Sequence, residues 1–260
     1  MITALVTGGG RGIGQGVALR LAKEGMRVAV SARSADQLAE TVRLSDGKIL
    51  AITADVSQWE DVCVMVARAE RELGPIDLLI NNAGIGGPLA PFLDAEPDDW
   101  WKTLEVNLRG PYLCCRAVLP GMIARRAGRI LNMASGAGTY PIPDMSAYVA
   151  SKTALIRLSE QLAIEMKPYG IGVFPIRPGV VRTAMVEEGR QAIPLIQKIL
   201  DEGQAVTPDV VADLVLFLAS GKADRLSGRI FSVNEDLEEM VRRAEEVERN
   251  NLYVLRSRRL

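Results

Sequence analysis

Tyr148 and Lys152 are four residues apart, so a helix would stack them on one face. The helix is well signalled: Ala150, Ala154, Leu155, Leu158 and Leu162 supply apolar positions, and Pro168 with Gly170 ends it. A phenol with a pKa near ~10 is a poor acid–base group at neutral pH. An ammonium ~5 Å away, at an effective dielectric of ~20, favours the phenolate by roughly 3 kcal/mol, about two pKa units, before desolvation subtracts. Such a tyrosine can exchange a proton with a bound oxygen atom. Ser135, at the end of a strand-like run, can hydrogen-bond the same oxygen. Taken alone, a Tyr-x-x-x-Lys pair on a helix is more often an ordinary surface pair.

A second chemistry-bearing stretch is Thr7-Gly8-Gly9-Gly10-Arg11-Gly12-Ile13-Gly14, which follows the first strand-like run and opens a helix carrying Val17, Ala18, Leu21 and Ala22. Glycines let the backbone turn tightly and approach a pyrophosphate, and the N–H groups and dipole at the helix start favour its charge. A glycine-rich turn that binds nothing is the alternative, made less favourable by the strand before it and the helix after it. About 20 residues on, an acid would accept hydrogen bonds from an adenine-ribose 2′-hydroxyl. Here the chain reads Ser31-Ala32-Arg33-Ser34, with a guanidinium in place of the acid, and Asp36 falls within the first helical turn. Five basic residues (Arg11, Arg20, Lys23, Arg27, Arg33) against one acid (Glu24) make the field of the first 34 residues positive.

Asn107 carries its own physical signature. Pro111 follows it inside a helical stretch, Asp98–Val118, and has no N–H to give the Asn107 carbonyl. A kink is expected there, with that carbonyl open to a water; a kink without function is the alternative.

Composition limits the rest of the chemistry. The 260 residues are 48% apolar and 24% charged, the proportions of a globular protein. There is no histidine, which excludes a Ser-His-Asp triad, a Cys-His pair, an H-E-x-x-H zinc site and any imidazole shuttle. Acid–base work must fall to Tyr, Lys, Asp, Glu or Cys. Cys63, Cys114 and Cys115 form no C-x-x-C pair, so no metal site is expected, and an odd count fits a reducing compartment. A net charge of -1 gives no global basic field, so no nucleic-acid partner is expected. Apolar runs such as Leu214 to Ala219 are far short of the ~18 residues of a membrane span. The chain opens straight into a strand-like run without a basic leader, and a cytoplasmic protein is expected.

The elements that must position these residues alternate from end to end. Strand candidates are Ile2–Thr7, Arg27–Ala32, Lys48–Thr53, Ile76–Asn81, Arg129–Ala134, Ile171–Ile176 and Arg229–Val233, nearly continuous apolar runs of the kind buried on both faces. Ser34-Ala35-Asp36-Gln37 and Ser57-Gln58-Trp59-Glu60 fit capping boxes between them. Thr207-Pro208 starts a helix with Val210, Val211, Leu214, Val215 and Leu218 at helical spacing. Repeated β-α units predict an α/β fold, a doubly wound parallel sheet in a single domain over 1–233. Residues 234–260 read as a helical extension: Asn234 as cap, an apolar stripe of Leu237, Met240, Val241, Ala244 and Val247 running to about Glu248, and a solvated arginine-rich end at Arg256, Arg258 and Arg259. That stripe is expected to be buried on the body or on a neighbouring subunit.

Thr7–Gly14, Asn81-Asn82-Ala83-Gly84, Ser135, Tyr148-Val149-Ala150-Ser151-Lys152 and Pro178-Gly179, in this order over residues 1–233, resemble the short-chain dehydrogenase/reductase family. The resemblance implies a one-domain Rossmann-type fold of seven parallel strands, a nicotinamide cofactor and carbonyl/alcohol redox chemistry. It implies that Gly8, Gly12, Ile13 and Gly14 form the pyrophosphate loop. Asp55 with Val56 would hold the adenine ring, and Asn82, Ala83 and Gly84 would support the central sheet and the adenosine ribose. Asn107, Ser135, Tyr148 and Lys152 match the catalytic four, with Asn107 in a water-mediated relay from Lys152, and with Tyr148 and Lys152 also against the cofactor. Pro178, Gly179, Val181 and Thr183 match the turn that orients the carboxamide. Arg11 and Arg33, with the Ser34 hydroxyl, favour a 2′-phosphate, so NADP(H) is expected in preference to NAD(H), which an Arg33 stacked on adenine would still admit.

The implied partners are a small-molecule carbonyl or alcohol substrate and a second copy of the chain. A homo-oligomer, dimer or tetramer, is expected through the helices around 98–126 and 148–167. Met185, Val186, Ile193, Leu195, Ile196, Ile199 and Leu200, interleaved with Glu187, Glu188 and Lys198, read as an amphipathic lid or an ordinary surface helix. Side walls are expected from Gly136, Ala137, Ile142, Pro143 and Val180. They lack an ion partner, which points to a hydrophobic ketone or secondary alcohol. An NADP-sensing protein without turnover and a related lyase or epimerase are the other classes compatible with these motifs. Two departures from the family stand out: Val233-Asn234-Glu235-Asp236 with the extension replaces a glycine-rich end, which puts the usual subunit contacts in doubt, and Pro175 inside the sixth strand predicts an irregular strand end.

Overall fold

The computed structural model describes residues 1–190 and 193–257, without the side chain of Leu195; Arg258, Arg259 and Leu260 lie outside the described residues. Seven strands form one parallel sheet: β1 Thr3–Thr7, β2 Arg27–Ala32, β3 Ile49–Thr53, β4 Leu78–Asn81, β5 Gly128–Met133, β6 Ile171–Arg177 and β7 Phe231–Ser232. Their order is β3-β2-β1-β4-β5-β6-β7. The chain moves outward from β1 to β3 and returns to β4 on the other side of β1. That reversal opens a crevice at the carboxyl ends of β1 and β4, where ligands bind in such sheets.

The helices are α1 Gly12–Lys23, α2 Ala35–Leu44, α3 Trp59–Leu73, α4 Pro97–Leu104, α5 Gly110–Arg125, α6 Ser146–Met166, α7 Ala184–Gly189, α8 Pro194–Asp201, α9 Pro208–Ala219, α10 Leu237–Arg242 and α11 Ala244–Arg249. Strand side chains alternate between two cores, which is why the strands are apolar throughout. Ala4, Val6, Val28, Val30, Ile80 and Phe174 pack with Val17 and Leu21 of α1 and Val211, Leu214 and Leu218 of α9. Leu5, Ala29, Leu79, Ile130 and Val173 pack on the other face with Val62 and Met65 of α3, Leu113 and Val118 of α5 and Ala163 of α6.

Four expectations meet a different geometry. Ser57 does not cap α3. Its hydroxyl donates to Asp55 Oδ1 at 2.7 Å, and the helix starts one residue later, after Gln58. The kink expected before Pro111 takes the form of a π-helical turn, Glu105–Arg109, in which the Gly110 N–H reaches back to the Glu105 carbonyl. A proline that cannot donate forces the backbone bonds to skip a residue. Pro175 leaves β6 regular, in register with Asn132 of β5. The Val173 and Arg177 carbonyls accept from Gly228 and Val233, so by alternation Pro175 turns its donorless nitrogen toward β7, which pairs through two residues only.

The fourth concerns the C-terminal extension, which is two short helices rather than one. Asp236, not Asn234, caps the first by accepting the Glu239 N–H at 2.8 Å, and the chain breaks at Arg243. Its stripe lies on the chain's own body: Met240, Ala244 and Val247 are buried in the α1–α9 core.

Candidate active site

At the end of β1, Thr7 Oγ1 accepts the N–H groups of Asn82 and Ala83, both at 3.1 Å. Asn82 Nδ2 donates to the carbonyls of Thr7 at 2.9 Å and Gly8 at 3.1 Å. The segment after β4 thereby clamps the glycine turn. Gly8 and Gly12 have φ of +66° and +57°, where a side chain is strained. A Cβ on Gly14 would overlap the Gly8 carbonyl and Asn82 Nδ2, and one on Gly12 would meet Thr183 Cγ2 at 3.1 Å. The loop thus touches Thr183, the far end of the site in sequence.

Around this cradle Arg11 is exposed at the mouth of α1, and Arg33 is exposed just beyond β2; among the described residues neither enters an ion pair. Ser34 caps α2, accepting the Gln37 N–H at 3.4 Å. Burial pushes the Asp55 carboxyl up, but hydrogen bonds from Ser57 outweigh it and hold the carboxyl below its ordinary value. Val56 is buried beneath Gly110. Left-handed glycines at the start of α1 and two exposed guanidinium groups without an ion pair among the described residues could hold an anionic dinucleotide.

The four residues expected to be catalytic, Asn107, Ser135, Tyr148 and Lys152, converge near the carboxyl ends of β4 and β5. Lys152 is buried, and its Nζ donates to the Met133 carbonyl at 2.8 Å while lying 5.5 Å from the Tyr148 ring centroid. Gly84 makes room for it: a Cβ there would stand 3.2 Å from Asn107 Oδ1 and 3.5 Å from Lys152 Nζ. Asn107 is buried in the π-helical turn. Its Oδ1 accepts the Ile85 N–H at 2.9 Å, and its Nδ2 donates to the Ile85 carbonyl at 2.9 Å and to Ser151 Oγ at 3.1 Å. Ser151 Oγ in turn donates to the Tyr148 carbonyl at 2.8 Å. Asn107 therefore ties the loop after β4 to the first turn of α6. Ser135 follows β5 and accepts the Ala137 N–H at 3.2 Å, and it lines the same cavity as Tyr148.

The expected lowering of the Tyr148 pKa is not what this site produces. Burial pushes the phenol up, and the nearby Ser135 hydroxyl offsets that only in part. Burial also lowers the Lys152 ammonium to about 8. Desolvation disfavours both charged forms and outweighs their mutual attraction at this separation.

Ser135 and Tyr148 stand on one wall of a cavity of about 620 Å³. Gly136, Ala137, Ile142 and Val180 line it as expected, whereas Pro143 is exposed outside it. Met185, Val186, Ile193, Ile196 and Ile199 cover it, and Leu200 is buried without lining it. The walls are not free of ions: Arg177 and Glu188 line them. Arg177 was legible as a lone charge ending an apolar strand just before Pro178-Gly179. Gly179, with φ of +72°, lines the cavity too, while Pro178 and Val181 are buried and do not line it, Val181 packing in the α1–α9 core. Among the described residues no group of acids and cysteines could hold a metal ion, and no helix is long and apolar enough to cross a membrane.

Comparison with known proteins agrees with this architecture. A family model described as short chain dehydrogenase matches residues 2–194. A short chain dehydrogenase of Pseudocercospora fijiensis is 34% identical over 260 residues, covering 94% of this chain and 83% of the relative. The 2-(R)-hydroxypropyl-CoM dehydrogenase of Xanthobacter autotrophicus is 37% identical over 234 residues, 86% of this chain and 94% of the relative. The crystal structure of a variant actinorhodin polyketide ketoreductase with NADPH superposes with a TM-score of 0.83 at 32% identity, covering 89% of this chain and 95% of the other.

Proposed function

The chain belongs to the short-chain dehydrogenase/reductase family, and on that premise we propose that it moves a hydride between NADP(H) and a ketone or secondary alcohol, with Tyr148 as the proton-transfer group. The observation that carries this reading is that Ser135 and Tyr148 line one mostly apolar cavity, with the buried Lys152 Nζ 5.5 Å from the Tyr148 ring centroid. When bound, the dinucleotide supplies or accepts the hydride, two electrons at the carbonyl carbon. In the reducing direction Tyr148 Oη gives its proton to the substrate oxygen, which Ser135 Oγ holds by hydrogen bond. The raised pKa keeps Tyr148 protonated for that step, and the Lys152 ammonium stabilises the phenolate left behind. Asn107 holds the Tyr148 turn through Ser151 and belongs to the route by which Lys152 regains a proton.

Gly8, Gly12, Ile13 and Gly14 would hold the pyrophosphate, Asp55 and Val56 the adenine, and Asn82, Ala83 and Gly84 the adenosine ribose. Lys152 would reach the nicotinamide ribose, and Pro178, Gly179, Val181 and Thr183 the carboxamide. Arg11, Arg33 and Ser34 favour NADP(H) over NAD(H): one charge-assisted contact to a 2′-phosphate contributes roughly 1.5–3 kcal/mol. We take residues 1–233 as the catalytic unit with 234–260 as its extension, in a cytoplasmic homo-oligomer.

The test is consumption of NADPH and of NADH by the purified protein across a panel of ketones. NADPH should give the higher kcat/KM by about tenfold or more. Tyr148→Phe should lose about 10²–10⁴-fold in kcat while NADPH affinity stays close to wild type. Substantial turnover in Tyr148→Phe overturns the mechanism, and a preference for NADH overturns the cofactor assignment.

A further inference from the structure

Among the described residues, four buried side-chain polar atoms have no hydrogen-bond partner: Arg27 Nε, Ser31 Oγ, Asn81 Oδ1 and Arg177 Nε. Buried donors are nearly always paired, so each such atom asks for a reason. Only Arg177 among these residues lines the cavity that holds Ser135 and Tyr148. It ends β6 on the same sheet face as Val173, the face that α6 covers, since Phe174 and Ile176 point to the other core. Among the described residues its side chain makes no hydrogen bond and no ion pair. The Nε itself is closed off by protein, so the two terminal guanidinium nitrogens, which are not sealed in and have no partner among the described residues, are the donors this cavity-lining residue can offer.

We propose that Arg177 recognises an oxyanion on the substrate, so that the substrate is a ketone or secondary alcohol with an apolar body and a carboxylate-like end. The proposal rests on the redox reading of the site given above. Three observations support it. A planar guanidinium matches a two-oxygen anion in geometry as well as charge. Its nearest wall is polar, with Ser232 paired in register to Arg177 and Asn234 two residues on, while Ile193, Ile196 and Ile199 of the cover are apolar. The cavity therefore has one cationic, hydrogen-bonding end and one apolar side. Residues Gly8 to Gly14 do not line it, which separates Arg177 from the phosphate cradle. Glu188 is the other charge on the walls; it is exposed on α7 and does not pair with Arg177. A closing contact between the two would be the competing use of this guanidinium.

The experiment compares straight-chain methyl-ketone carboxylates of increasing length with their methyl esters, on wild type, Arg177→Gln, Arg177→Lys and Glu188→Gln. Wild type should favour the acid over its ester in kcat/KM. Arg177→Gln should lower that acid-to-ester ratio by about tenfold to a hundredfold, and Arg177→Lys, which keeps the charge but not the fork, by less. Calorimetric binding of the corresponding hydroxy acid and hydroxy ester to Tyr148→Phe, with and without Arg177→Gln, reads the same preference without turnover. A preference for the acid in binding alone keeps the oxyanion site while the redox reading fails. An unchanged ratio in Arg177→Gln overturns the proposal, including the case where both substrates suffer alike. An equal collapse in Glu188→Gln and Arg177→Gln also overturns it, in favour of a lid clamp.

Discussion

Lys152 sits where charge is costly, and its pH behaviour follows from that. Its ammonium falls from the ordinary 10.5 to about 8 because burial removes its water. A folded pKa below the unfolded one means that the folded state releases a proton the unfolded state keeps between these two values. Below pH 8 both states are protonated and the burial cost stands in full, roughly 3 kcal/mol. As pH climbs from 8 toward 10.5 the cost is relieved. Lys152→Met should therefore melt above wild type at pH 7, and the gap should narrow as pH rises through that window. Thermal melts of both proteins from pH 6 to pH 10 measure it; a gap that is absent, or that widens with pH, contradicts the assignment. The kcat/KM for ketone reduction should decline above about pH 8 as Lys152 loses its proton.

The Tyr148–Lys152 pair and the glycine turn were legible because each has a spacing that local geometry enforces, whereas Ser135 and the Pro178-Gly179 turn were picked out through the family resemblance. Tyr148 and Lys152 share a helix face, and the glycines follow a strand and open a helix. The sign of the Tyr148 shift was not legible. Desolvation depends on how many atoms of α6, β5 and the cavity cover surround the ring, which no spacing encodes. Nor were the Met133 carbonyl and Ser151 as partners, since β5 and α6 meet only in the fold. Arg177 was visible as a residue but not as part of the site.

At the scale of elements, the clearest dependency is α1 on the loop that follows β4. Gly14 lies in the first turn of α1, and any Cβ there would overlap the Gly8 carbonyl and the Asn82 amide that grips it. Both are fixed: one is backbone and the other is hydrogen-bonded to Thr7 and Gly8. Gly14→Ala must therefore shift the start of α1 away from Asn82. The expected cost is roughly 1–3 kcal/mol, a melting temperature lower by about 3–10 °C, with NADPH binding weakened at least about tenfold. Calorimetric titration and a thermal melt read the two effects together; near-normal cofactor affinity would show that the clamp is not needed. The strands and most helices followed directly from apolar runs and caps, because both core faces of this sheet demand them. The errors fell where two local signals competed. Ser57 had a carboxylate two residues back to donate to, and Asp236 outcompeted Asn234 as a cap because it lies directly before the helix that the apolar stripe supports.

Across the whole molecule, the extension closes the exposed edge of the sheet. β7 is an edge strand of two residues, and Pro175 has already removed a donor from its neighbour. Beyond α11 the chain runs back along that edge: the Ile230 N–H donates to the Tyr253 carbonyl at 2.8 Å and Arg229 donates to the Leu252 carbonyl at 3.1 Å. Tyr253 and Leu255 pack on Ala134, Ile156 and Ile230. Covering an edge this way blocks unwanted strand pairing. The end is pinned at Glu160 of α6, a buried carboxylate held by Arg157 and Arg256. Burial pushes Glu160 up, but the hydrogen bond from Arg256 and the nearby arginines outweigh it and hold the carboxyl below 4.5. Its contribution to stability is therefore present above pH 4.5 and lost as pH falls through the lower folded value. Deleting residues 251–260 leaves Glu160 short of a partner and the Ile230 N–H bare, a loss of roughly 3 kcal/mol, or about 5–10 °C. The same deletion in a Glu160→Gln background should cost clearly less, because the neutral amide does not need Arg256. Thermal melts of the four proteins, with light scattering to follow self-association, decide the matter. Equal losses in both backgrounds would mean that the tail holds by its apolar contacts alone, and no loss in either would mean that it holds nothing.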